Sequence, residues 1–277
     1  MKRLSLFQSL LFVFLLLFTL PGYGQRVDTV NVYSPSMAKE LKNIVILPAD
    51  YSSQPQQTFP VVYLLHGHGG NYTTWLTQVK PDLPRIASEY GMIIVCPEGE
   101  DSWYWNSPVS SKKQFETYIC YELQGHIEER YRTRNDRHSR AITGFSMGGH
   151  GALWLAFRHP DIFGACGSMS GGVDIRPFPN NWNMKDQLGT YADNPKRWDE
   201  HTVINQIPYK TDFGTLAIII DCGTEDFFFQ VNNQLHEKML KLKIPHDYII
   251  RPGGHTQAYW NNAIDYQLLF FNKFFRK

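Results

Sequence analysis

Residues 141–153 read Ala141-Ile142-Thr143-Gly144-Phe145-Ser146-Met147-Gly148-Gly149-His150-Gly151-Ala152-Leu153. A short apolar run ends at Gly144, a serine stands between glycines, and a helical pattern begins. That order describes a strand that bends sharply into a helix, with Ser146 at the bend. Glycines flank such a bend because side chains there would strike neighbouring backbone. The bend exposes the serine hydroxyl at a helix N-terminus, where free N–H groups and the positive end of the helix dipole favour developing negative charge. The plainer reading is a Gly-rich turn with a capping serine. The strand–turn–helix setting favours a nucleophile.

The rest of the chain repeats the rhythm outward from this elbow. Val27–Tyr33 and Asn43–Leu47 read as opening strands. Val61–Leu65, Met92–Cys96, Ala141–Thr143, Gly164–Ser168, Leu216–Ile220 and Asp247–Ile250 are further short strands. Helical spacing marks 115–132, with Tyr118, Leu123, Ile127 and Tyr131 on one face, and also 146–158, 227–242 and 257–275. Wholly apolar short strands alternating with helices predict an α/β domain with a mostly parallel central sheet covered on both faces. Pro177–Tyr209, rich in Asn, Asp, Pro and Trp, has too few apolar positions for a core of its own. It reads as an insertion at about 177–209 over the sheet rim.

A serine hydroxyl needs a base, and the base needs an orienting group. With an elbow of this type the chain order is serine, acid, histidine. His255 follows the last strand and the flexible Pro252-Gly253-Gly254, and precedes the final helix. His150, His236 and His246 lie within or beside regular elements and read as packed or surface residues. The acid lies in Asp221-Cys222-Gly223-Thr224-Glu225-Asp226. Asp226, beyond the Gly223 turn, can reach over the rim to His255. Asp221 ends the strand and reads as a structural acceptor of backbone N–H bonds, and Glu225 as exposed.

A tetrahedral intermediate needs two N–H donors. Met147, after the serine, supplies one, and His68 in His66-Gly67-His68-Gly69-Gly70 the other. A metal on His66 and His68 would lack acidic or thiolate partners at ligand spacing, so neither metal nor cofactor is expected. Aromatic residues gather in the rim segments: Trp103, Tyr104, Trp105, Trp182, Phe227, Phe228, Tyr259 and Trp260. They read either as a sugar platform or phenolic slot, with Trp103 and Trp260 foremost, or as packing for the loops.

Composition narrows the partners. The 277 residues are 43% hydrophobic with a net charge of +1, which excludes a disordered chain and offers no basic stripe for nucleic acid. Met1-Lys2-Arg3 precedes an uncharged run, Leu4–Leu20, and Gly22 and Gly24 stand at −3 and −1 before Gln25. Residues 1–24 therefore read as a secretory signal peptide, with a membrane anchor as the competing reading. The expected mature domain is 25–277, secreted or periplasmic, with no stable membrane insertion. Export permits disulfides among the four cysteines, but Cys96, Cys166 and Cys222 lie in or beside apolar runs and Cys120 on a helix, which favours buried free thiols.

These segments resemble the esterase D-like family of α/β-hydrolases, which includes S-formylglutathione hydrolases, feruloyl and acetyl-xylan esterases and mycolyltransferases. The resemblance rests on Phe59–Gly67, Trp103-Tyr104-Trp105-Asn106-Ser107, the Gly144–Leu153 elbow, Asp221–Asp226, and Gly254-His255-Thr256 with Trp260. It implies an α/β-hydrolase fold, Ser146, Asp226 and His255 as a triad, and oxyanion amides at His68 and Met147. An exported chain would not meet the cytosolic glutathione thiol ester, so esters of plant polysaccharide, or small acyl esters, are the nearer expectation. An acyltransferase with the same triad and a non-catalytic binding domain are the alternatives.

Overall fold

The computed structural model describes residues 25–207 and 215–277. The proposed leader lies outside the described residues, as do the last two positions of the 177–209 segment. Among the described residues no helix is long and apolar enough to cross a membrane.

Eight strands form one sheet: β1 (Arg26–Ser34), β2 (Lys39–Leu47), β3 (Val61–Leu65), β4 (Ile93–Pro97), β5 (Arg140–Gly144), β6 (Ala165–Met169), β7 (Ala217–Gly223) and β8 (Asp247–Arg251). Their order is β1-β2-β4-β3-β5-β6-β7-β8. β1 and β2 pair antiparallel, as do β2 and β4, and every other neighbour is parallel. The central strands carry Val, Ile and Leu on both faces because helices cover both. Val61, Tyr63 and Leu65 of β3 join the cluster under the helix Met147–Arg158, whereas Val62 and Leu64 join the cluster under the helices Leu83–Tyr90 and Gln257–Phe275.

The core contains helical features beyond the sequence expectation. Leu83–Tyr90 is a helix on which the strand-by-strand pattern is silent. It places Leu83, Ile86 and Ala87 inward and ends on Gly91 at φ 64°. The long helix starting at Phe115 contains a π-helical stretch, Tyr118–Leu123, followed by Gln124–Arg130. The wider turn explains the five-residue step from Tyr118 to Leu123, which would rotate off one face in an α-helix. With it, Tyr118, Leu123 and Ile127 are all buried.

The segment after Pro177 contributes Met184, Leu188, Trp198, Val203 and Ile204 to the same core cluster as the helix Met147–Arg158. All four cysteines are free and buried. Burial raises each thiol well above its ordinary range, so these are packing residues.

Glycines let the elbow form. A Cβ on Gly148 would lie 2.5 Å from the Leu65 carbonyl oxygen and 2.6 Å from that of His66. Both contacts are backbone, so neither can swing aside. Gly148→Ala is expected to cost about 3 kcal/mol by forcing helix and β3 apart. Urea unfolding checks this, and a midpoint equal to that of the parent chain would contradict it.

Candidate active site

β5 delivers the chain to Ser146, which holds φ 56° and ψ −119° between strand and helix. That left-handed backbone is costly for a residue with a side chain, and the surrounding hydrogen bonds impose it. The Ser146 N–H donates to the Met169 carbonyl at 2.9 Å, and the Gly148 N–H to the Phe145 carbonyl at 2.7 Å. The hydroxyl is thereby turned out from the core into a cavity of about 440 Å³.

Three side chains meet there. Ser146 Oγ lies 2.9 Å from His255 Nε2, and His255 Nδ1 lies 2.9 Å from Asp226 Oδ2. The geometry fits Nδ1–H donating to the carboxylate and the serine O–H donating to Nε2. Asp226 follows a turn in which its own N–H donates to the Gly223 carbonyl at 3.1 Å. Its other oxygen accepts the Phe228 N–H at 2.8 Å, and its side chain is wholly buried. A buried carboxylate with both oxygens occupied is held in one orientation. After His255, the Thr256 hydroxyl accepts the Tyr259 N–H at 3.2 Å and caps the last helix, fixing the point where the loop re-enters regular structure.

The glycine-rich turn after β3 lies against the elbow. A Cβ on Gly67 would come within 2.5 Å of the Phe145 ring and 3.3 Å of Ser146 Cβ. His66 pins this turn rather than facing solvent. Its Nδ1 lies 2.8 Å from the Gly67 carbonyl and its Nε2 2.9 Å from the Gly99 N–H, so the ring donates at one nitrogen and accepts at the other. The Tyr104 hydroxyl donates to the His66 carbonyl at 3.0 Å. His68 is half-buried and lines the cavity beside Ser146. Among the described residues, neither the His68 nor the Met147 N–H donates to a protein acceptor. Of these two residues His68 lines the cavity, and Met147 directly follows the serine at the helix N-terminus. Among those residues, too, no three His, Cys, Asp or Glu side chains are grouped to hold a metal.

The aromatic residues divide. Trp260 lines the cavity, stacks on Phe145 with centroids 4.1 Å apart, and meets the His255 ring edge-on at 4.8 Å. Trp103 does not reach the cavity, which corrects the expectation that it contacts substrate. Trp103 and Tyr104 both take left-handed backbone, φ 56° and 60°, which turns the loop inward. The indole is then 1% exposed, stacked on Trp105 at 5.6 Å and against His150. Asp221 also differs from expectation. Its carboxylate accepts from the Tyr259 hydroxyl at 2.5 Å and from Arg251, not from backbone N–H groups. His236 and His246 bond each other at 2.8 Å, away from this cavity.

The sequence reading missed Phe145, Thr74, Gln78 and Gln257 as cavity residues. The Gln257 amide donates to Gln78 across 3.1 Å at the rim. Position 257, two beyond the histidine, was the available signal for one of them. Gln78 carries no such mark.

His150, one helical turn past the serine, is fully buried and its Nδ1 lies 3.0 Å from the Gly172 carbonyl. Burial lowers its pKa from 6.5 to about 3. Burial also lowers the pKa of His201, whose ring stacks on Trp154. Between those limits the unfolded chain binds a proton that the folded ring refuses. The stability His150 gives is thus full above about pH 6.5 and falls as pH drops, by about tenfold in the folding constant per unit. Urea midpoints from pH 7 to 5 should decline along that slope, and His150→Gln should flatten it. An equal slope in the two chains would contradict the assignment.

This elbow, with a serine, an imidazole and a buried carboxylate in series, defines a serine-hydrolase-like site on an α/β sheet. A family model described as Putative esterase matches residues 34–271, and the chain belongs to that family. An esterase of Mycobacterium tuberculosis is 30% identical over 238 residues, 76% of this chain and 52% of that protein. The chain thus spans about half the length of that relative. An acetyl esterase of Caldicellulosiruptor saccharolyticus is 26% identical over 254 residues, 85% of this chain and 94% of that one. A solved ferulic acid esterase is 28% identical, with a TM-score of 0.77 over 90% of this chain and 98% of that one. The chain has the α/β-hydrolase fold.

Proposed function

We propose that the protein is a serine carboxylic-ester hydrolase that works through an acyl-enzyme, with Ser146 as nucleophile, His255 as base and Asp226 as orienting acid. The continuous bond series from Ser146 Oγ through the His255 ring to Asp226 carries this reading. His255 Nε2 takes the serine proton as Oγ attacks the ester carbonyl. The oxyanion settles on the Met147 and His68 N–H groups, and loss of one such donor typically costs about 3–4 kcal/mol of barrier. Asp226 keeps the Nδ1–H tautomer and stabilises the imidazolium. As the bond from carbonyl carbon to leaving oxygen breaks, Nε2 returns its proton to that oxygen. Water then repeats the sequence on the acyl-enzyme and frees the acid.

The substrate class we favour is a short acyl or feruloyl ester of carbohydrate. Its support is the aromatic lining of the cavity and the activities that the acetyl esterase and ferulic acid esterase relatives carry in their names. Export follows from the leader pattern in residues 1–24, and the mature product should begin at Gln25 on N-terminal sequencing. Acetyl, butyryl and feruloyl esters assayed beside acetylated xylan test the activity. Turnover of at least one, lost in Ser146→Ala, is the expected result. Failure on all of them would overturn the reading.

A further inference from the structure

The lining of the cavity is of two kinds. One is backbone and small polar groups, from the Gly67–Gly70 turn to the Gln78–Gln257 amide pair. The other is aromatic. Trp182, from the segment that packs over the rim, lies 5.8 Å from Phe227 with planes 24° apart. Phe227 in turn lies 4.3 Å from the His255 ring. Trp182 also packs on Phe178 and Phe228 at the edge of the core, and its exposed part faces the cavity. Phe227 is 51% exposed, an unusual place for a large apolar ring beside a buried carboxylate. Trp182 holds φ 50°, a backbone that bulky residues avoid, and Asn183 after it holds 52°, which asparagine adopts readily. A strained backbone at Trp182 that sets an indole in the lining of a reactive cavity points to a role in that cavity.

The chemistry says which part of a substrate meets this wall. Four groups surround the tetrahedral carbon: Ser146 Oγ, the oxyanion, the acyl substituent and the leaving oxygen. The leaving oxygen must come within hydrogen-bond reach of His255 Nε2, because it receives that proton. The alcohol's carbon skeleton therefore departs beside the imidazole, which Phe227 and Trp260 both flank, with Trp182 stacked on Phe227. Resting on the esterase reading above, we propose that Trp182 and Phe227 form the subsite for the alcohol part of the ester, and that this alcohol is a carbohydrate. A sugar ring lays its C–H face on the negative face of an aromatic ring and keeps its hydroxyls wet. A half-exposed aromatic lining suits such a ligand, and the Gln78 and Gln257 amides in the same cavity can meet hydroxyls.

Two acetate esters that share the acyl group isolate this subsite: an acetylated methyl xyloside and ethyl acetate. Both pass through the same acetyl-enzyme, so the ratio of their kcat/KM values reports the alcohol alone. Trp182→Ala should lower the sugar-to-ethyl ratio about tenfold, and Trp182→Phe should restore most of it. Phe227→Leu, read by the same ratio, serves if Trp182→Ala fails to fold by circular dichroism. A ratio within twofold of the parent in a folded variant, or equal losses on both esters, would overturn the proposal. Parent protein that cleaves ethyl acetate and not the sugar ester would overturn the carbohydrate assignment alone. Parent protein that cleaves neither would sink the esterase reading itself, and the subsite with it.

Discussion

Ser146→Ala is expected to lower kcat on any ester the protein cleaves by at least about four orders of magnitude, with KM little changed. The substitution removes one oxygen and the bond to His255 Nε2. It leaves the His255–Asp226 bond, the two free amides and the cavity walls in place. Those remaining parts still bind ester and oxyanion, which is why the residual rate stays above that of water. The fold should persist, because the hydrogen bonds around position 146 come from backbone and alanine meets the same φ as serine. Steady-state assays beside a melting curve check both halves. A variant rate within tenfold of the parent would remove Ser146 from the chemistry.

Asp226→Asn should be nearly as damaging, by about 10⁴-fold in kcat, for a different reason. Asparagine can still accept the Phe228 N–H, so packing is kept. It then presents NH₂ to His255 Nδ1, where the carboxylate had accepted a proton. The ring must flip its tautomer to bond, and Nε2 then carries hydrogen toward Ser146 and cannot take its proton. Asp221→Asn supplies the contrast. Asp221 bonds Tyr259 and Arg251 rather than imidazole, so its loss should lower the melting temperature more than it lowers kcat. If the two variants exchanged effects, Asp221 would be the acid.

The elbow was plain in the sequence because its glycines have one physical cause, the close approach of helix and strand at Gly144 and Gly148. That Asp226 rather than Asp221 would lie beside His255 was legible for a similar reason. Gly223 marks the turn that releases the chain from β7, and a group beyond a turn can cross a sheet rim. Aromatic residues in loops carried no such mark. Trp103 and Trp182 both sit in loops and both hold left-handed backbone, yet one indole is buried behind the nucleophile and the other faces the cavity. Which way a loop turns depends on the surface that receives it. Tyr104 fills the space that Gly99 and Gly151 leave empty, and this draws Trp103 inward. That complementarity links residues as far apart in the chain as Gly99 and Gly151, and no local spacing encodes it. The π-helical turn at Tyr118–Leu123 is half legible, since the apolar face is evident but a five-residue step alone does not specify a change of helix type.

The most direct test of the account is covalent labelling of the native protein with a fluorophosphonate, followed by intact mass and peptide mapping. One equivalent of label on Ser146, absent from Ser146→Ala and slowed sharply in His255→Ala, is the result expected of an alcohol activated by its neighbouring imidazole. Folded protein that takes no label, or takes it equally well without His255, would contradict it.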